Sequence, residues 1–376
     1  MRKLLLLAVL LGGCTAARKT VVNEVPVPVI SSLKLLHKYV VPYNRPFNRT
    51  SIGGLSGIDY DTARNVYYII SDDRSEHQPA RFYTAQIPMT GKAGDSVIFK
   101  DVTSLRMRNG NVYPSNAEFA PDPEAMRYNP RTRRLIWSSE GERLLSPTGY
   151  IINDPGVYEI DMNGLLQDSF HLPAQFQMHA SESGPRRNGV FEGLSLTPDG
   201  QNLFVSLEEP RYEDGPRADL KDTSAFVRLI KFDMKSHKAV AQYAYKLEPV
   251  AHEPVPANDF RVNGISDVIA LSANKLLVME RSFSSGVKNN TIRVFSVEIL
   301  DATNINNVAS LKTTKNFIPV KKTLLLNFDD LHTYVDNVEG MTLGPILPNG
   351  HRSMIFVADN NFDKREETQF FIFEVE

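Results

Sequence analysis

A five-fold recurrence governs what this chain can fold into. A polar residue, a small residue and an apolar residue stand together as SGI (56–58), EAM (124–126), EGL (192–194), NGI (263–265) and EGM (339–341). The spacings are 68, 68, 71 and 76 residues. A turn follows each triplet (DYDTARN, NPRTRR, TPDGQN, SANK, LPNG), and then an apolar run: VYYIISD, RLIWSSE, NLFVSLE, KLLVMER and SMIFVAD. The run closes on an acid at Asp72, Glu140, Glu208, Glu280 and Asp359, which lie 16, 16, 16, 17 and 20 residues beyond the opening polar residue. In an antiparallel hairpin the start of one arm lies beside the end of the other, so both polar positions of each repeat are expected at one edge of a sheet.

Two further alternating segments complete each unit. ARFYTAQI, GVYEIDM, FVRLIKFDM, TIRVFSVEI and TQFFIFEVE read as third strands, and SVIFKDV, QDSFHLP, AVAQYAYKL and KTLLLNF as fourth strands. The fifth repeat reaches Glu376 without a fourth strand, and residues 32–41 have the right character to supply it. A ring closed in that way has no free edges. The expected fold is an all-β, five-bladed β-propeller, with six blades as the alternative count if a long connection hides a degenerate blade. Repeats of about 70 residues exceed the 40–50 of an ordinary blade, so the excess belongs in loops. No segment carries a long 3.6-residue period, so helices are expected to be few.

The N-terminus reads as a targeting segment. Arg2 and Lys3 precede the apolar stretch 4–11, and Gly12 and Gly13 precede Cys14, the single cysteine. This pattern resembles a bacterial lipobox, with residues 1–13 removed and Cys14 lipidated. A plain secretory signal with a chance cysteine is the alternative. Residues 14–32 read as a tether and 33–376 as the propeller. Thr15, rather than Asp, points by resemblance to the outer membrane, with the protein facing the periplasm of a Gram-negative bacterium. One cysteine allows no disulfide within the chain, so the core alone must hold the fold. The formal charge of −2 shows no basic stripe, which excludes nucleic acid as the expected partner. Membrane contact is expected through the lipid alone, and the protein is expected to be a monomer.

The motifs GGLSGIDYD, ISDDR…PARFY, FEGLSLTPDG, VMERSF, DNVEGM and VADNNF…TQFFIFEV together resemble the phytase-like family, whose name refers to the esterase-like activity of phytase. The resemblance spans about residues 50–376. It implies a β-propeller and phosphoester or ester hydrolysis, and it carries no fixed catalytic residues onto this chain.

The chemistry is therefore read from the residues. The opening ring is Ser56, Glu124, Glu192, Asn263 and Glu339, and the closing ring is Asp72, Glu140, Glu208, Glu280 and Asp359. Eight carboxylates, one amide and one hydroxyl would meet at one mouth of the channel. Oxygen donors of this kind suit Ca²⁺ ahead of Mg²⁺, and not zinc. Glu124, Glu192, Asn263, Glu339, Asp72 and Asp359 are the candidate ligands. Glu140, Glu208 and His77 are the candidate catalytic groups, with His179 a second loop histidine. Arg74, Arg81, Arg143 and Arg281 are, as a set, candidates to meet a small anionic substrate, with Arg211 in a similar loop, although each alone reads first as a structural ion pair. Alternation along the strand could turn Arg281, next to Glu280, away from the channel. The competing reading of both rings is structural, as staples between blades. The competing function is a non-catalytic propeller binding a peptide, glycan or protein through mouth aromatics such as Tyr113, Tyr150 and Tyr212. Trp137 and the other strand aromatics read as core. No zinc motif, Gly-rich phosphate loop or G-x-S-x-G elbow is present, since Gly57 follows Ser56 directly.

Overall fold

Five four-stranded antiparallel sheets form a closed ring in the structure, a computed structural model that describes residues 30–92, 94–115 and 120–376. Blade 1 comprises Leu55–Asp61, Val66–Ser71, Arg81–Gln86 and Ile98–Ser104. Blade 2 comprises Pro123–Asn129, Arg134–Ser139, Gly156–Ile160 and Leu166–Ser169. Blade 3 comprises Phe191–Leu196, Asn202–Leu207, Phe226–Asp233 and Lys238–Lys246. Blade 4 comprises Arg261–Ala270, Lys275–Ser284, Thr291–Glu298 and Lys321–Asn327. Blade 5 comprises Asn337–Ile346, Arg352–Asp359 and Thr368–Val375, with Leu33–Val41 as its outer strand.

The fold is thus the five-bladed propeller that the repeats predict. The N-terminal strand pairs antiparallel with Thr368–Val375. Ser31 N donates to Glu376 O (2.7 Å) and Ser32 Oγ to its carboxylate (2.8 Å), so residues 31 and 32, read from sequence as the end of the tether, join the fold. No sixth four-stranded sheet occurs among the described residues. The surplus length lies in connections, including a hairpin of Glu142–Ser146 with Gly149–Asn153 and the stretch 299–320 between the outer strands of blade 4. The described helices are two short 3₁₀ turns, Ala174–Phe176 and Phe328–Leu331. The signal segment, the lipobox and Cys14 lie outside the described residues.

Each recurring triplet marks a β-bulge or lies beside one. The inner-strand register slips between Leu55 and Gly57, Pro123 and Met126, Phe191 and Leu194, and Val338 and Gly340. A bulge leaves one residue out of the ladder and re-aims its side chain. Here it also frees backbone N–H groups, and serines on the second strand take them. Ser138 Oγ accepts from Ala125 N (3.0 Å) and Ser206 Oγ from Gly193 N (3.1 Å). The small residue is required by the next blade. A Cβ on Gly57 would lie 2.8 Å from Glu124 O, and one on Gly340 would lie 2.6 Å from Ser56 O.

Deeper in the channel the inner strands carry a second polar set that binds blade to blade. Asp59 accepts from Tyr128 N (2.8 Å) and Thr342 Oγ1 (3.1 Å), and Ser195 Oγ accepts from Ala270 N (2.8 Å). Arg127 closes the axis. Its Nη2 donates to both Asp267 oxygens (2.7 Å), and its Nη1 to Ile58 O (2.8 Å) and Met126 O (2.8 Å). Asp267 also accepts from Met341 N (2.8 Å). Ser56 is a staple of the same kind, its hydroxyl donating to Glu124 O (2.6 Å), and at the mouth Glu140 accepts from Val190 N of the next blade (2.5 Å).

A buried ion pair adds little net stability while intact, but removing one partner strands the other charge. Arg127→Met should destabilise the protein by about 3–5 kcal/mol, read from urea unfolding. Arg127→Met with Asp267→Leu should recover most of that loss. A single variant as stable as the parent would refute the axial role of Arg127.

Candidate functional site

A cavity of about 660 Å³ opens at the bulged end of the channel. Asp72, Asp122, Glu124, Glu140, Glu192, Glu208 and Glu339 line it, with Arg74, Arg281, His77 and Asn337. Asp359 lies fully buried behind them. Carboxylate oxygens converge in three groups: Asp72, Glu339 and Asp359; Asp122, Glu124 and Glu140; and Glu140, Glu192 and Glu208. Within each group one oxygen per residue lies within 4.8 Å of the others. Both oxygens of Asp359 and Oε2 of Glu339 are buried without a hydrogen-bond partner of normal geometry.

Such crowding resists ionisation. Burial raises Asp72 to about 7, with the Asp122 and Asp73 charges adding to it. Burial also holds Glu124, Glu140, Glu192 and Asp359 well above the ordinary carboxylate range, reinforced by acidic neighbours. Asp359 is pushed up by Asp72 and Glu339 and drawn back in part by the Asn361 N–H. Glu339 rises to about 7 by burial, despite the opposing charge of Arg281.

Two arginines offset part of the charge. Arg74 Nε donates to Asp122 (2.6 Å), its Nη2 contacts the same carboxylate, and its Nη1 donates to Glu142 (2.8 Å). Arg281 donates to Glu208 (2.8 Å), Glu339 (2.7 Å) and the Asn337 side-chain oxygen. Its Nε is buried without an acceptor.

Blade 4 departs from the sequence expectation. Its bulge falls later, between Ile265 and Asp267, so the regular ladder continues through Val262–Phe283 and Gly264–Arg281. Because side chains alternate, this turns Asn263 and Glu280 off the mouth and Arg281 into it. Asn263 Nδ2 donates to Glu248 O (2.8 Å) and Glu280 (2.7 Å), while Glu280 also accepts from Tyr245 (2.6 Å) and Lys322 (2.7 Å). The amide read as a metal ligand is therefore held by a structural network outside the cavity. The expectation that Arg281 could miss the channel is reversed.

The other candidates divide in the same way. Arg81 is buried, bonded to Asp73 (2.7 Å), Tyr83 and Ser51 O, and so fixes the 73–80 loop. Arg143 donates to His179 O (2.8 Å) and Ala180 O (3.0 Å), away from the lining. Arg211 is buried against Asp214. His77 lines the cavity and packs on Phe362, with ring centroids 4.5 Å apart. Tyr113 packs on Trp137 in the blade core, Tyr150 is exposed on a hairpin, and Tyr212 lies over Arg186, so none of the three lines the mouth. Asp122 and Asn337 escaped the sequence reading. Each stands two positions before its repeat's Glu, a period-two relation that predicts the same face.

A family model described as "Phytase-like: Esterase-like activity of phytase" matches residues 50–362. The chain belongs to the phytase-like family. No curated protein matches it. Among solved structures, it is similar to a protein of unknown function from Dyadobacter fermentans (10% identity, 92% of this chain and 100% of that one, TM-score 0.39). It is also similar to a glycoside hydrolase family 43 β-1,3-galactosidase (10%, 90% and 95%, TM-score 0.45). A third is a gluconolactonase from Xanthomonas campestris (9%, 94% and 99%, TM-score 0.36). Likenesses this distant carry no argument about chemistry.

The raised carboxylates make the metal-free protein pH-sensitive in a defined direction. Asp72 and Glu339 bind protons more tightly folded than unfolded, so their protonated forms favour the fold. That contribution is complete below about pH 4 and is lost as pH rises through about 7. In chelator, the urea midpoint should fall between pH 5 and 8. Asp72→Asn should flatten the fall, and a midpoint that rises across this range would contradict the assignment.

Proposed function

We propose that this phytase-like propeller is a Ca²⁺-dependent hydrolase of phosphoesters or related esters, acting at the acidic mouth. The observation that carries the reading is the convergence of buried carboxylate oxygens, several of them without partners. Hydrogen-bond donors would satisfy a structural carboxylate, whereas Asp359 has two unsatisfied oxygens. The donor set is all oxygen and rich in carboxylate, which fits a hard cation such as Ca²⁺. Asp72, Glu339 and Asp359 would hold one ion, and Glu124 with Asp122 and Glu192 with Glu208 would hold others. A bound Ca²⁺ would polarise a phosphoryl or carbonyl oxygen and lower the pKa of a water.

The chain's own residues then have separate tasks. Arg281 brings a positive charge to the cavity lining while its two Nη groups keep Glu208 and Glu339 in place. Arg74 holds Asp122 in the same way. Glu140 is buried with its pKa raised, and it is the acid placed to give or take a proton within the cluster. His77 can carry protons between the rim and solvent. The anchored form, lipidated at Cys14 in the outer membrane, belongs to the same proposal. The tyrosines that would favour the non-catalytic reading, Tyr113, Tyr150 and Tyr212, lie off this lining.

Thermal unfolding of residues 20–376 after chelation, with and without added Ca²⁺, tests the reading. At a hundred times its dissociation constant, Ca²⁺ should stabilise by about 2.7 kcal/mol, a rise of a few degrees. Mg²⁺ should do less. Glu192→Gln should remove the Ca²⁺-induced rise and the hydrolysis of a phosphomonoester panel, without lowering the metal-free melting temperature. A variant with full activity would defeat the ligand assignment, and a variant melting lower with or without Ca²⁺ would restore the staple reading.

A further inference from the structure

The mouth is not acidic all round. Blades 1, 2, 3 and 5 present carboxylates, whereas blade 4 presents Arg281, Val262, Phe283 and, just before its first strand, Phe260. Phe260 and Phe283 form a tilted ring pair with centroids 6.0 Å apart. They remain 53% and 36% exposed although they line the cavity. Neither belongs to a blade core. The register slip that turns Asn263 and Glu280 away sets Val262 and Phe283 opposite each other on the mouth face, beside Arg281. Large exposed aromatic surface within a charged cleft marks a contact site, and it leaves one side of the mouth unsuited to a uniformly charged ligand.

We infer that the substrate carries an apolar group beside its anionic ester head, and that Phe260 and Phe283 bind that group. The inference rests on the hydrolase reading above. The anionic head meets the carboxylate wall through its cations, beside the positive charge of Arg281, and the apolar part lies against the ring pair on the same blade. A polyanion charged on every side would leave these rings in water and gain nothing from them.

Calorimetric titration of the Ca²⁺-loaded protein with phenylphosphonate and methylphosphonate tests this. Both carry the same head, and only one carries a ring. Phenylphosphonate should bind at least tenfold more tightly. Phe260→Ser with Phe283→Ser should bring it to the affinity of methylphosphonate, leaving methylphosphonate within twofold and the Ca²⁺-induced thermal shift intact. Equal affinities in the parent protein, or an unchanged preference in the variant, overturn the inference and leave the hydrolase reading standing. Failure of both phosphonates to bind overturns the hydrolase reading and this inference with it.

Discussion

Five inner strands approach one another around a single axis, and at the point of contact their backbones leave room for glycine in four blades and for the methyl of Ala125 in blade 2. This constraint imposes the small residue of each triplet. A Cβ at Gly193 would sit 2.8 Å from Val268 N, and one at Gly264 would sit 2.5 Å from Glu208 Cγ. The inner strands answer with a bulge, and in blades 2, 3 and 5 the bulge aims the residue before the small one into the mouth. Close packing at the axis thus generates the acidic ring above it. Below the mouth, Arg127 and Asp267 fill the channel and tie blades 1, 2, 4 and 5 together.

The cost of that arrangement is electrostatic. Carboxylates buried side by side keep their protons unless a cation replaces them. Arg74 and Arg281 neutralise some of the charge but leave Asp359 unsatisfied. Membership of the phytase-like family gives this geometry a setting in ester chemistry. Blade 4 breaks the acidic ring with an exposed aromatic pair, Phe260 and Phe283.

Much of this was legible in the residues. The spacing of the triplets and closing acids predicted five blades, and the character of residues 32–41 predicted closure by the N-terminal strand. Those signals are local and periodic, and a hairpin turns them directly into neighbours. The site was legible where the period held: Glu124, Glu192 and Glu339 with Asp72, Glu140, Glu208 and Asp359 do converge. It failed where one bulge moved, because a shift in register exchanges the two faces of a strand. That single difference removed Asn263 and Glu280, admitted Arg281, and placed Phe283 in the mouth. The arginines divide between structural pairing and the cavity lining for another reason. A loop position says nothing about which acceptor lies nearby: Arg81 and Arg211 found one a few residues away in the chain, and Arg143 found one in the connection that leads to blade 3.

The sequence by itself determined the number of blades, the closure of the ring and the acidic character of one mouth, because these follow from periodicity and from which residues repeat. The tertiary structure alone decided which carboxylates share a cation-sized space, which arginine keeps a free donor, and why one wall is aromatic. Those outcomes depend on where each bulge falls against the neighbouring blade, and that contact joins residues some seventy positions apart in the chain.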